Sequence, residues 1–153
     1  MGVRHPEKGT STMAKRTGTL VGIKERSHAR ALTELACEVT PAGEALLLVH
    51  VIELPDNTPL DAPLLASDRA AHQILRVAAQ VAQKHGRKAT TRSLRAHHAG
   101  KALLEELKDG KIALAVLGFH HGRNLRELLA GTTHQYLARR APCRLLLDIP
   151  PRK

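Results

Sequence analysis

Apolar residues along this chain form short continuous runs that alternate with longer stretches of helical spacing. Residues 45–52 and 112–117 are runs of strand length, and His50 is the one polar residue within them. Such runs are typical of strands that helices cover on both faces of a parallel sheet. Shorter or more polar strands are predicted at Thr19–Ile23, Lys88–Arg95 (an edge strand) and Cys143–Ile149.

Between the strands, apolar residues recur at the spacing of an amphipathic helix. The third helix places Leu103, Leu104 and Leu107 on its inward face, and Gly110 ends it. Four helices are predicted. The first runs from a cap at Ser27 to Val39, with Ala31, Leu32, Leu35 and Ala36 inward, and the second from a cap at Ser67 to His85–Gly86, with Ala70, Ile74, Val77, Ala78 and Val81 inward. The third runs from Ala99 to Asp109 and the fourth from Asn124 to Arg140.

The predicted order is β-α-β-α-β-α-β-α-β. Right-handed crossovers turn this order into a doubly wound, five-stranded parallel α/β sheet with helices on both faces. Residues 1–16 are polar and show no periodicity, so we expect a disordered tail there and a single domain at 17–153. Aromatic residues are limited to Phe119 and Tyr136, and the core is therefore expected to consist of Leu, Val, Ile and Ala.

The formal net charge of +10 permits attraction to nucleic acid, anionic lipid or acidic proteins. The basic residues are scattered, however, and no aromatic side chains lie between them to stack on bases, so a dedicated nucleic-acid reader is not expected. No apolar run is long enough to cross a bilayer, which predicts a cytoplasmic protein. Cys37 and Cys143 lack metal-ligand spacing and are expected to be reduced thiols.

The sequence carries little catalytic chemistry. It contains neither a Gly-x-Ser-x-Gly elbow nor the phosphate-binding loop Gly-x4-Gly-Lys-[Ser/Thr]. The pairs His97–His98 and His120–His121 lack the spacing of a metal site, and His50 is interpreted as a satisfied core or strand-end histidine. We therefore predict no catalytic residue and no metal ligand.

A glycine loop after the strand at 112–117 is the most informative feature. Gly118, Gly122 and, further on, Gly131–Thr132 flank the predicted start of the fourth helix. A strand that leads through glycines into a helix presents backbone N–H groups to a phosphate. The same glycines also suit a tight turn and close packing of the helix on the sheet, and both interpretations stay open.

The segment from Thr19 to Pro150 resembles the universal stress protein family. Leu46–Glu53 is similar to that family's second strand, and Gly131–Leu147 is similar to its last helix and strand. The resemblance implies the fold of the adenine-nucleotide alpha-hydrolase-like group. The family pattern in the fourth loop is Gly, two residues, Gly, nine residues, then Gly with Ser or Thr. Gly118, Gly131 and Thr132 match it, whereas His121 occupies the second glycine position and Gly122 is displaced by one.

A second departure lies at the end of the first strand. Nucleotide-binding members of the family carry an Asp there that contacts the nucleoside, and Lys24 stands at the matching position. An ammonium group cannot accept hydrogen bonds from a ribose or an adenine amine. Lys24 can instead attract phosphate, and Glu25 can supply the acceptor if the register slips by one residue.

Three functions follow as alternatives. The resemblance implies a regulatory stress-response protein that binds ATP or another adenine nucleotide. The only metal expected is magnesium associated with the nucleotide, and any hydrolysis of the nucleotide would be slow. A ligand-free module of the same fold would act as a homodimer with an unknown protein partner, and the resemblance implies that the dimer forms through the exposed edge of the last strand, Cys143–Ile149. A weak binder of nucleic acid or an acidic partner would use the basic surface. The predicted nucleotide site consists of Lys24, Gly118, His121, Gly122, Arg123, Gly131 and Thr132.

Overall fold

The computed structural model of the protein describes residues 15–118 and 133–151. Most of the predicted N-terminal tail, His120 and the predicted helical residues before Thr133 lie outside these ranges. The elements are β1 (Thr19–Gly22), α1 (Arg26–Val39), β2 (Leu46–Glu53), α2 (Leu65–Lys84), β3 (Ala89–Ala96), α3 (Ala99–Asp109), β4 (Leu114–Gly118), α4 (Thr133–Arg140) and β5 (Arg144–Asp148).

The strands form one parallel sheet in the order β3-β2-β1-β4-β5. Gly22 of β1 aligns with Val49 of β2 on one side and with Leu117 of β4 on the other. The doubly wound α/β fold predicted from the alternating pattern is therefore confirmed. β3 is an edge strand as predicted, and β5 forms the other edge.

Both predicted serine caps are wrong. α1 begins at Arg26 with Glu25 at the N-cap position, so Ser27 lies within the first turn. α2 begins at Leu65, because the amide of Asp68 already donates to the Leu64 carbonyl at 2.9 Å in the first helical hydrogen bond. Serine is favoured at a cap position locally, but Glu25 and Leu64 occupy these positions without a side-chain cap hydrogen bond.

Two apolar layers cover the two faces of the sheet. α1 and α2 pack on one face around Val21 and Val116, and α3 and α4 pack on the other around Leu20 and Ala115. Leu103, Leu104 and Leu107 of α3 are buried as predicted. The buried faces of the first two helices agree with the prediction at Leu32, Ala36, Ile74, Ala78 and Val81 and differ from it elsewhere. The buried residues are Ala29, Leu32, Thr33, Ala36 and Cys37 in α1, and Ala71, Ile74, Leu75, Ala78, Val81 and Ala82 in α2.

Thr33 explains part of this difference. Its hydroxyl donates to the Ala29 carbonyl one turn earlier at 2.7 Å, so this polar residue is satisfied inside the apolar layer. Ala31 and Ala70, which were predicted to face inward, are exposed. No helix in residues 15–118 and 133–151 combines the length and apolar character needed to cross a membrane.

Candidate functional site

The candidate site lies where the strand order reverses. β1 is followed in the chain by β2 on one side of it, and β4 lies on its other side. In open parallel sheets, ligands bind outside the carboxyl ends of the strands at such a point, because the connections diverge there and leave a crevice. At this point β1 leads into Lys24 and β4 ends at Gly118.

The structure thus brings two of the predicted site residues to neighbouring strand ends. Lys24 is exposed, and Gly118 is half-buried at the last position of β4. The remaining predicted site residues lie outside the described residues: His121, Gly122, Arg123, Gly131 and Thr132.

His50 determines the shape of the β1 end. The ladder between β1 and β2 continues one step beyond Gly22, where the Ile23 amide donates to the Val49 carbonyl at 2.9 Å. The Ile23 carbonyl then accepts from Nδ1 of the buried His50 ring at 2.7 Å. His50 is therefore a satisfied, buried histidine within β2, in line with its interpretation as a core histidine. The chain leaves the sheet immediately before Lys24.

Gly118 lies close to α1 and is also held by a histidine. A Cβ at this position would approach Leu32 Cδ1 to 3.1 Å, which is tighter than ordinary packing. The Gly118 carbonyl accepts from Nε2 of His134, in the first turn of α4, at 2.7 Å. The glycine thus permits the close approach of α1, and sequence analysis did not identify the role of His134.

Side chains near the ends of β2 and β3 contact neighbouring backbone groups and each other. A Glu53 carboxylate oxygen accepts from the Ala99 amide at the start of α3 at 2.9 Å. Nδ1 of His97 lies 3.1 Å from the Pro55 carbonyl, and Nε2 of exposed His98 lies 3.6 Å from an Asp56 carboxylate oxygen. No cluster of potential metal ligands occurs in residues 15–118 and 133–151.

Arg95 holds the loop between β2 and α2, and the sequence analysis did not identify it. Its guanidinium donates to the Leu60 carbonyl at 2.9 Å and to the Ala62 carbonyl, and it contacts both carboxylate oxygens of Asp68 at 2.8 and 3.0 Å. One terminal nitrogen of the guanidinium contacts both Asp68 oxygens, and the other donates to the two carbonyls, so the several donors of one arginine serve the loop and the helix together. Because Arg95 and Asp68 lie 27 positions apart, no local spacing signals the pair.

The two cysteines have no features of a nucleophile. Burial raises the pKa of the Cys37 thiol, and the nearby Arg87 only partly opposes this effect. Burial also raises the pKa of the Cys143 thiol, with a smaller opposing effect from Arg16. Both thiols are free, and a raised pKa keeps them protonated and unreactive at neutral pH.

A separate groove opens at the amino ends of the strands, on the opposite edge of the sheet. It encloses about 720 Å³ and is mainly apolar. The Glu44 carboxylate on its rim already accepts from the Gly18 amide at 2.7 Å. Its lining consists of Gly18, Thr19, Val39, Pro41, Glu44, Ala113, Leu114, Arg144, Leu145 and Leu146, none of which belongs to the predicted nucleotide site.

Known proteins place this geometry in a family. One similar solved structure is a universal stress protein in complex with cAMP, with 18% identity and a TM-score of 0.68 over 90% of this chain and 100% of that chain. A second is the universal stress protein of Archaeoglobus fulgidus in complex with dAMP, with 14% identity and a TM-score of 0.65 over 88% of this chain and 98% of that chain. A third is a universal stress protein family protein of Arabidopsis thaliana with AMP bound, with 13% identity and a TM-score of 0.65 over 88% of this chain and 92% of that chain. No curated protein sequence matches significantly. The sequence profile of the universal stress protein family matches residues 18–147. The chain therefore belongs to the universal stress protein family.

Proposed function

We propose that this protein binds an adenine nucleotide at the carboxyl edge of its sheet, between β1 and β4, and acts as a regulatory protein of the stress response rather than as an enzyme. The observation that carries the proposal is the reversal of strand order at β1, where Lys24 and Gly118 lie at neighbouring strand ends. Related structures with bound cAMP, dAMP and AMP support the choice of an adenine nucleotide.

Lys24 changes what the end of β1 offers to such a ligand. Its ammonium group donates hydrogen bonds and carries positive charge, so it favours the phosphate over the base or the ribose. Base and ribose recognition then falls to backbone groups at the strand ends. Affinity should therefore rise from adenosine to AMP to ATP and fall with added salt.

Calorimetric titration with adenosine, AMP and magnesium ATP tests this proposal, together with chromatography of nucleotide released from denatured protein. We expect AMP to bind, Gly131→Val to abolish binding, and Lys24→Ala to weaken AMP by about fivefold, the effect of losing one exposed charge contact. Lys84→Ala is the matched control, because Lys84 is an equally exposed lysine at the end of α2. Absence of any heat, thermal shift or released nucleotide would refute the proposal.

A second proposal concerns self-association through β5. This strand is an open edge of the sheet, and Leu147 and Ile149 are exposed along it. Its sequence Arg144-Leu-Leu-Leu-Asp148 is self-complementary in charge. An antiparallel pair centred on Leu146 would place each Arg144 opposite Asp148 of a second copy.

Light scattering after size exclusion tests the dimer. We expect the wild type to elute as a dimer, Arg144→Asp to shift it toward the monomer, and the charge exchange Arg144→Asp with Asp148→Arg to restore the dimer. Arg139→Asp, on α4, is the control for a change of net charge. A wild-type monomer at all concentrations, or a single variant as dimeric as the wild type, would refute this interface.

A further inference from the structure

We propose that His50 and His134 are positioning residues that fix the carboxyl ends of β1 and β4, on the two sides of the proposed nucleotide site. His50 holds the last carbonyl before Lys24, and His134 holds the carbonyl of Gly118, each at 2.7 Å. The first carbonyl belongs to Ile23, directly after β1, and the second to the last residue of the neighbouring strand β4. As far as nucleotide affinity is concerned, this inference rests on the proposed function.

The His50 contact replaces a step of the strand ladder. The β1–β2 register ends at Gly22 and Val49, and Ile23 adds one further backbone bond through its amide. Its carbonyl is then bonded by a side chain of β2 instead of the β2 backbone. This exchange lets the chain turn away from the sheet at Lys24 without leaving a buried carbonyl unpaired.

The His134 contact joins α4 to the end of β4. The ring lies in the first turn of α4, and its Nε2 reaches the last residue of β4. Leu32 of α1 lies against the same glycine from the other side of the backbone, 3.1 Å from where a Cβ would stand. The position of Gly118 is therefore fixed by α4 through a hydrogen bond and by α1 through packing.

These contacts require defined imidazole tautomers. A carbonyl oxygen only accepts hydrogen bonds, so Nδ1 of His50 and Nε2 of His134 must each carry a proton. The amide nitrogen of Asn reproduces the place of Nδ1, and that of Gln reproduces the place of Nε2. Each site should accordingly tolerate one amide and reject the other.

The matched pairs of variants give opposite patterns at the two positions. We expect His50→Asn and His134→Gln to bind AMP within about threefold of the wild type, and His50→Gln and His134→Asn to lose about tenfold. A residue that merely fills space would show no such reversal between Asn and Gln. Equal affinities within each pair would overturn the proposal.

Nitrogen-15 NMR of the imidazole rings tests the inference without any ligand. The expected result is a proton on Nδ1 of His50 and on Nε2 of His134, and a shifted Lys24 amide signal in His50→Gln but not in His50→Asn. Exposed His72 of α2 serves as the internal control for an unconstrained ring. A His50 ring protonated on Nε2 alone would overturn the proposal. Failure of the wild type to bind AMP would refute the proposed function. The measured tautomers of His50 and His134 would still test whether the two histidines hold the strand ends.

Discussion

Replacing Arg95 by Met should detach the β2–α2 loop from the edge of the sheet. Methionine keeps most of the apolar stem but removes all the donors of the guanidinium. The loop would lose the bonds at its Leu60 and Ala62 carbonyls, and the first turn of α2 would lose its ion pair at Asp68. We therefore expect lower stability and faster opening of this loop.

The structure sets the size of the effect. The hydrogen bonds to the two carbonyls contribute about 1 kcal/mol each. The Asp68 side chain is 47% exposed, so solvent screening limits the ion pair to about 0.5 kcal/mol. Arg95→Met should therefore lower the free energy of unfolding by about 2.5 kcal/mol, and Arg95→Lys by about 1 kcal/mol because a lysine cannot serve all of these acceptors together.

Urea unfolding measures the loss, and hydrogen exchange locates it. The amides of Thr58 and Ala62, which bond to carbonyls within the loop, should exchange faster in Arg95→Met. Arg92→Met is the matched control on the same strand, because Arg92 is 55% exposed and makes a single 3.4 Å contact with Glu106. It should cost less than about 0.5 kcal/mol.

Two results would refute this reasoning. One is a stability of Arg95→Met equal to that of Arg92→Met, which would mean that the hydrogen bonds of Arg95 contribute nothing. The other is a double-mutant cycle between Arg95→Met and Asp68→Asn with no coupling energy, which would mean that the ion pair does not contribute to stability.

Three further predictions concern other parts of the molecule. Gly100→Ala should lower the free energy of unfolding by about 1–2 kcal/mol and alter tyrosine fluorescence, because the new Cβ would lie 2.9 Å from Cδ1 of Tyr136, the only tyrosine of the chain. Unchanged fluorescence and stability would contradict this packing. Arg87→Met should cost about 2 kcal/mol in urea unfolding, since its guanidinium donates to three carbonyls at the end of α1 at 2.6–2.8 Å, and Arg87→Lys should recover part of the loss. The pKa values of the Cys37 and Cys143 thiols are raised in the native state, so this state retains their protons to a higher pH than the unfolded state does. The free energy of unfolding should therefore fall as pH rises above about 8.5. The double variant with alanine at both positions should lack this part of the decline, and a pH profile identical to that of the wild type would contradict the prediction.

The strands and their order along the chain were predictable because strands that are buried on both faces appear in the sequence as continuous apolar runs. The runs around residues 45–52 and 112–117 became central strands, and the polar stretch at 88–95 became an edge. Helix starts were less predictable, since Ser27 and Ser67 are good caps locally but lie within the first turns. No local pattern could reveal that the loop after β2 is attached to Arg95.

The candidate site was predictable only in part. A parallel sheet brings the ends of β1 and β4 together whatever their side chains, so Lys24 and Gly118 could be placed from the strand order alone. The roles of His50 and His134 depend on ring nitrogens that reach backbone of other elements. Such contacts follow from the exact approach of packed elements, which the spacing of residues does not encode.

A titration of nitrogen-15-labelled protein with AMP, followed through the backbone amide signals, tests the central claim most directly. The account predicts saturable shifts at Ile23, Lys24 and Gly118, at the carboxyl edge of the sheet, and unchanged signals at Thr19 and Arg144, which line the groove at the amino edge. Shifts confined to that groove, or no shifts at millimolar AMP, would contradict a nucleotide site between β1 and β4.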